Sequence, residues 1–168
     1  VAQEDVDHTM RSQAKAINFG LLYGMGPQRL ARETGLTVPE AKDFIDRYFE
    51  AFPKVRGWID GVLEGARETG HVETLMGRRR PMPDVNSTNQ RVRAAAENAA
   101  VNTPVQGSAA DIIKKAMIDL DRYLDESDLK AQLLLQVHDE LVLEVPVTEL
   151  AATTEMVRDA MENAVQLD

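Results

Sequence analysis

The sequence predicts an α+β protein: helices dominate its first part, and an acidic-tipped β-hairpin backed by helices closes its second. Three observations carry this. Apolar residues recur at intervals of three and four over most of the chain, the helical period. Two segments, 71–83 and 132–145, read instead as short strands meeting at a turn. Glycines and prolines at Gly24, Gly26, Pro27, Gly35, Pro53 and Gly70 separate the elements. There is no internal repeat and no low-complexity tract.

Residues 10–23 are expected to be helical, with Asp7 and Thr9 as candidate N-caps and Gly24, Gly26 and Pro27 as the stop. A short helix over 28–34 ends at Gly35. Thr37-Val-Pro-Glu40 is a capping box with proline in the first turn. It launches a helix to about Ala51, which Pro53 breaks or kinks. The next helix stops at Gly70. The hairpin over 71–83 turns at Gly77 and carries Arg78, Arg79 and Arg80 on its return limb. Ser87-Thr-Asn-Gln90 offers a second capping box, opening an alanine-rich helix to about Val101. Pro104 and Gly107 punctuate. Residues 108–125 then form an amphipathic helix with Ala109, Ile112, Ile113, Ala116, Met117 and Leu120 on one face. The hairpin over 132–145 follows, and a last helix over 148–165 carries the apolar residues Leu150, Met156, Val157, Met161 and Val165. A two-stranded hairpin is rarely stable alone. A sheet partner outside these residues is therefore expected, and the chain reads as a piece of something larger.

At 168 residues the chain can hold one domain or two small lobes. No apolar run approaches the roughly 18 residues needed to span a membrane, so no membrane partner is expected. No leader pattern opens the sequence. The absence of cysteine excludes disulfides and thiolate metal sites and suits a cytoplasmic location. The net charge of −9 is unevenly placed. Residues 1–100 carry 14 basic and 14 acidic side chains, and residues 101–168 carry 5 and 14. Within 74–103, five arginines stand against Asp84 and Glu97. A basic stripe of this kind can bind phosphates on an acidic molecule, so charge alone does not argue against nucleic acid.

Two constellations carry chemistry. His138-Asp139-Glu140 sits between the apolar runs 133–137 and 141–145. Two adjacent carboxylates repel unless a cation sits on them, and a hard, oxygen-seeking divalent ion would fit. The alternative is a solvated turn. Arg11, Lys15, Phe19 and Tyr23 are spaced four apart, and each step of four drifts about 40° around a helix. They therefore form one slowly winding stripe of two cations and two aromatic rings. The guanidinium and ammonium suit a polyphosphate, and the rings could stack on a sugar or base. The alternative is an amphipathic helix with its cations in solvent and its rings in the core.

Arg-x3-Lys-x3-Phe-x3-Tyr-Gly over residues 11–24 resembles motif B of the family A DNA polymerases, the bacterial DNA polymerase I type. Gln136-Val-His-Asp-Glu-Leu141 resembles their motif C. Between them, Glu73-Thr-Leu-Met-Gly-Arg-Arg-Arg80 and Asn102-Thr-Pro-Val-Gln-Gly-Ser-Ala-Ala-Asp111 are similar to the same family in the same order. The resemblance covers essentially the whole chain. It implies a fingers subdomain over residues 1–97 and part of a palm subdomain over 98–168. Arg11 and Lys15 would bind the triphosphate of an incoming dNTP, and Lys15 would help the pyrophosphate leave. Phe19 would pack on the deoxyribose; Tyr23 and Gly24 would lie at the templating base. Asp139 would ligate catalytic Mg2+, with Glu140 in support, and His138 would touch the primer terminus. Asn102 and Gln106 would read the minor-groove edge of primer-template DNA, although a capping pair around Pro104 and Gly107 is an open alternative. Arg78, Arg79 and Arg80 would contact template phosphates, or else edge a solvated hairpin.

The reaction implied is template-directed nucleotidyl transfer to a primer 3′-hydroxyl by two metals. The motif B helix would close on the nucleotide and exclude mismatches by shape. The family's motif A, a second aspartate in a context like Asp-Tyr-Ser-Gln-Ile-Glu, has no counterpart here, and neither has a thumb. The chain alone is therefore expected to be inactive and to depend on a polypeptide carrying those parts. Asn98 stands where the family usually has arginine. Two other functions stay open: a catalytically dead nucleic-acid-binding module on the same scaffold, and a purely structural helical domain.

Overall fold

The computed structural model describes residues 5–167. Asp7, not Thr9, caps the first helix: its side chain accepts a hydrogen bond from the Met10 amide at 2.7 Å. Helix α1 (His8–Leu22) thus begins two residues earlier than expected. Pro27, expected as part of the stop, is instead the first residue of α2 (Pro27–Thr34), where its missing N–H costs nothing. The Thr37–Glu40 box forms as expected, with both reciprocal bonds present at the start of α3 (Val38–Ala51). Pro53 does not merely kink this helix; it opens a separate one, α4 (Pro53–Thr69). Gly35 and Gly70 end α2 and α4 in the left-handed conformation.

Strands β1 (His71–Glu73) and β2 (Arg79–Pro81) pair antiparallel, Val72 opposite Arg80. Helix α5 (Gln90–Asp125) corrects two expectations. Its cap is Asn89, whose side-chain oxygen accepts from the Arg91 and Val92 amides, while Ser87 accepts from the Asn89 amide. It also runs unbroken through Pro104 and Gly107, where two helices were expected. Proline in a helix interior costs about 3 kcal/mol. Packing outweighs that cost here: Ala100, Val101 and Thr103 are buried before it, and Ser108, Asp111, Ala116 and Leu120 after it. The expected apolar face is shifted as well, since Ala109 is exposed.

Two compact units divide the chain, Val1–Val105 and Gln106–Asp168, and the division falls within α5 just after Pro104. In the first unit, Leu21, Met25, Leu30, Ala31 and Ala41 form one core with Ile17, Ile45 and Tyr48. A second core joins Ala66, Val72, Met82, Val85 and Ala100, seating the small hairpin. In the second unit, β3 (Gln132–Val137) and β4 (Glu140–Glu144) form an antiparallel pair with a bulge between Leu133 and Leu135. One side of this pair, Leu133, Leu141 and Leu143, packs with Leu120, Leu124, Ala131 and Ala160. The other side leaves Leu135 50% and Val142 40% exposed. The β3–β4 sheet has two strands only among the described residues. The closing helix is shorter than expected: a 3-10 turn, Val147–Glu149, precedes α6 (Leu150–Glu162), and Leu150 is exposed.

Candidate functional site

The four-residue spacing on α1 becomes a physical ladder. The Lys15 ammonium lies 5.9 Å from the centre of the Phe19 ring, and Phe19 stacks on Tyr23 with centroids 6.0 Å apart. Arg11 and Lys15 are exposed, and Phe19 is 47% exposed. The amphipathic alternative required the rings in the core. The core face of α1 is instead Ile17 and Leu21, half a turn away. A partly exposed aromatic pair beside two cations is a surface able to take a phosphate and a ring together.

The ladder ends in a tight stop. The Met25 amide donates to the Gly20 carbonyl at 2.7 Å and the Gly24 amide to the Leu21 carbonyl at 3.1 Å, the Schellman pattern. Gly24 adopts φ +78°, where only glycine is unstrained. Space enforces the same choice: a Cβ on Gly24 would lie 2.1 Å from Asn98 Oδ1. Asn98, the residue singled out as a departure, thus sits directly against the end of the ladder. A recess of about 260 Å3 opens beside this turn, lined by Leu21, Met25, Ile45 and Val101 with Arg56, Glu97 and Asn98 as its polar groups.

The three arginines of the small hairpin are not equivalent. Arg79 Nε donates to Glu73 Oε1 at 2.7 Å, and His71 also approaches that carboxylate. These contacts, Arg79 foremost, hold the Glu73 carboxyl below the usual range. Arg80 Nη1 donates to the Thr103 hydroxyl at 2.9 Å, tying β2 to α5. The Arg78 backbone pairs with Thr74 across the turn. Asn102 and Gln106 lie in the interior of α5, so the capping alternative does not hold. Asn102 Oδ1 is buried without a hydrogen-bond partner among the described residues, and Gln106 is exposed.

At the tip of the larger hairpin, the turn is His138-Asp139 alone. Glu140, expected in the connection, is already the first residue of β4, opposite Val137. His138 has φ +56°, the one non-glycine residue in that region among those described. Such a backbone is sparsely populated and persists only where surroundings hold it. Here the Gln136 side chain donates to the His138 carbonyl at 2.6 Å. Asp139 and Glu140 are exposed. No group of three metal-binding side chains occurs among the described residues. Two carboxylates are nonetheless donors of the right kind for Mg2+, which keeps water and takes further oxygens from substrate phosphates.

One polar side chain near this tip gave no distinct sequence signal. Lys114 lies on the wall of a recess of about 350 Å3 that also contains Gln136, His138 and Asp139. Only its position on α5, one turn after the small residue Ala110, could have marked it.

The sequence model of DNA polymerase family A matches residues 1–168. The chain belongs to that family. This family A chain is 52% identical over 167 residues to DNA polymerase I of Geobacillus stearothermophilus, covering 99% of the chain and 19% of that protein. It is 49% identical over 168 residues to DNA polymerase I of Bacillus subtilis (strain 168), covering 100% of the chain and again 19% of that protein. Over 163 residues it is 54% identical to the thermostable DNA polymerase I of Thermus filiformis, covering 97% of the chain and 19% of that protein. Among solved structures it matches the POL domain of Pol1 from M. smegmatis, in complex with DNA primer-template and dNTP. That match has a TM-score of 0.93 and 43% identity, covering 98% of this chain and 29% of the other. The family A chain thus spans about a fifth of the length of these curated relatives. No helix among its described residues is long and apolar enough to cross a membrane.

Proposed function

We propose that this chain supplies the nucleotide-binding helix and part of the catalytic carboxylate set of a template-directed DNA polymerase, transferring a nucleotidyl group from dNTP to a primer 3′-hydroxyl in the cytoplasm. The observation that carries this is the exposed Lys15–Phe19–Tyr23 ladder in a family A chain. Arg11 grips the triphosphate in fork geometry, and Lys15 neutralises charge as pyrophosphate departs. Phe19 packs on the deoxyribose, and Tyr23 with the Gly24 turn borders the templating base. Asn102 and Gln106 read the minor-groove edge, His138 touches the primer terminus, and Arg78, Arg79 and Arg80 bind template phosphates.

Asp139, supported by Glu140, would hold Mg2+, which when bound activates the primer 3′-hydroxyl and screens the triphosphate. One pair of carboxylates is too few for two such ions. The remaining ligand comes from a segment outside these 168 residues, together with the thumb. Protein side chains here mainly position groups and neutralise charge. The second reading is a nucleic-acid-binding scaffold without catalysis.

The test is dNTP binding by the purified chain, compared with Lys15→Ala and Arg11→Ala. Weakening of about tenfold or more per substitution is expected for lost charged contacts. Unchanged binding would defeat the reading. Primer extension by the chain alone is expected to show no magnesium-dependent synthesis. Restoration by a segment supplying the second aspartate separates the enzyme from the dead scaffold.

A further inference from the structure

We propose that Lys114 is a positioning residue that anchors a backbone phosphodiester of the nucleic-acid strand whose end meets the His138-Asp139 turn. The inference rests on the polymerase reading above and adds to it a residue outside the four sequence motifs' assigned roles. Lys114 and Lys115 are adjacent on α5 but differ in circumstance. Lys115 is engaged by Asp119. Lys114 is exposed and makes no ion pair or hydrogen bond among the described residues, although Asp139 lines the same recess.

The recess has the chemistry of a sugar-phosphate seat. Ala109, Ala110 and Ile113 line it with apolar groups, and the two alanines are small and exposed, so the face of a deoxyribose can approach the helix closely. Its rim is polar. Lys114 offers a flexible ammonium, and Gln136 and His138 offer hydrogen-bonding groups on the facing hairpin. The count of charges selects the ligand. Lys114 brings one positive charge, equal to the single negative charge of a phosphodiester, and with Asp139 in the same recess the sum is only one unit negative. A free triphosphate would bring several negative charges against one cation and one anion, an uncompensated repulsion.

The experiment measures binding of a fluorescein-labelled primer-template duplex to the 168-residue chain by anisotropy, in EDTA, over a series of salt concentrations. A protein that neutralises one phosphate fewer loses about 0.9 from the slope of log K against log salt. Lys114→Ala is expected to lower the slope by about that amount, and Lys114→Arg to keep it. Replacing the last primer linkage by a neutral methylphosphonate is expected to lower the wild-type slope likewise and to add nothing in Lys114→Ala. Lys54→Ala, exposed on α4, serves as the control and is expected to keep the wild-type slope.

A wild-type slope in Lys114→Ala, or a methylphosphonate penalty that persists in it, overturns the Lys114 assignment and leaves the nucleic-acid reading standing. Loss of dATP binding with unchanged duplex binding would also overturn it, in favour of a triphosphate contact. Failure of the wild-type chain to bind duplex at any salt concentration overturns both. Alanine is a better helix former than lysine, so the variant is expected to fold.

Discussion

Replacing Gly24 with alanine tests the end of the α1 ladder most directly. Two costs follow from the structure. The backbone at φ +78° is strained for any residue with a Cβ, by about 1–2 kcal/mol. The added carbon would also sit 2.1 Å from Asn98 Oδ1, closer than any real contact, so that side chain must swing away. Asn98 is exposed and has room to move, so the steric part is expected to be the smaller. The two parts separate in a double-mutant cycle with Asn98→Ala. Urea unfolding followed by the fluorescence of Trp58, the single tryptophan and a residue of α4 in the same unit, gives the free energies. Gly24→Ala is expected to lose about 1–2 kcal/mol, and Asn98→Ala to recover only a fraction of it. The same substitution at Gly65, inside α4 with nothing within 4 Å of a built Cβ, is expected to stabilise by about 0.5–1 kcal/mol. Opposite signs for one chemical change isolate backbone conformation as the cause. A Gly24→Ala loss indistinguishable from zero, or full recovery by Asn98→Ala, would refute the reasoning.

Thr37→Ala removes a reciprocal capping box and is expected to cost about 1 kcal/mol, measured by urea unfolding. Leu120→Ala, at a fully buried site in the hairpin-backing core, is expected to cost about 2–5 kcal/mol, followed by far-ultraviolet circular dichroism. The Glu73 carboxyl is held below its ordinary value of 4.5 by Arg79 and then His71. Its contribution to the β1–β2 hairpin is therefore complete above that pH and lost as pH falls through the lowered value. Amide protection factors in β1 and β2, taken against intrinsic exchange at each pH, should fall over that acidic range in the wild type. Glu73→Gln should abolish that dependence.

Much of the fold was legible because it depends on residues close in sequence. Asp7, the Thr37–Glu40 box, Gly24, Gly35 and Gly70 each act on backbone groups within a few residues, and each marks an element end as expected. The errors have two sources, competition between neighbouring caps or turn residues and partners distant along the chain. Ser87 and Gln90 matched a capping box, yet Asn89 took the cap once Ser87 bonded to the Asn89 amide. Glu140 looked like part of a loop because its charge hides the strand register that pairs it with Val137. Lys114 escaped notice because nothing in its neighbourhood along the chain points to His138 and Asp139, which lie more than twenty residues away.

The amino-acid order by itself determined the helix ends at Asp7, Gly24, Gly35, Thr37 and Gly70, the two hairpins and the stripe of Arg11, Lys15, Phe19 and Tyr23, because hydrogen-bonded caps, left-handed glycines and a period of four are local properties. Tertiary structure alone decided that α5 runs through Pro104, that Phe19 lies outside the core while Ile17 and Leu21 fill it, and that Leu135 and Val142 are left uncovered. The reason is one of magnitude. A proline or cap preference is a matter of one to about three kcal/mol at a single residue. Burial of a whole helix face sums many such amounts from partners that the local sequence does not contain.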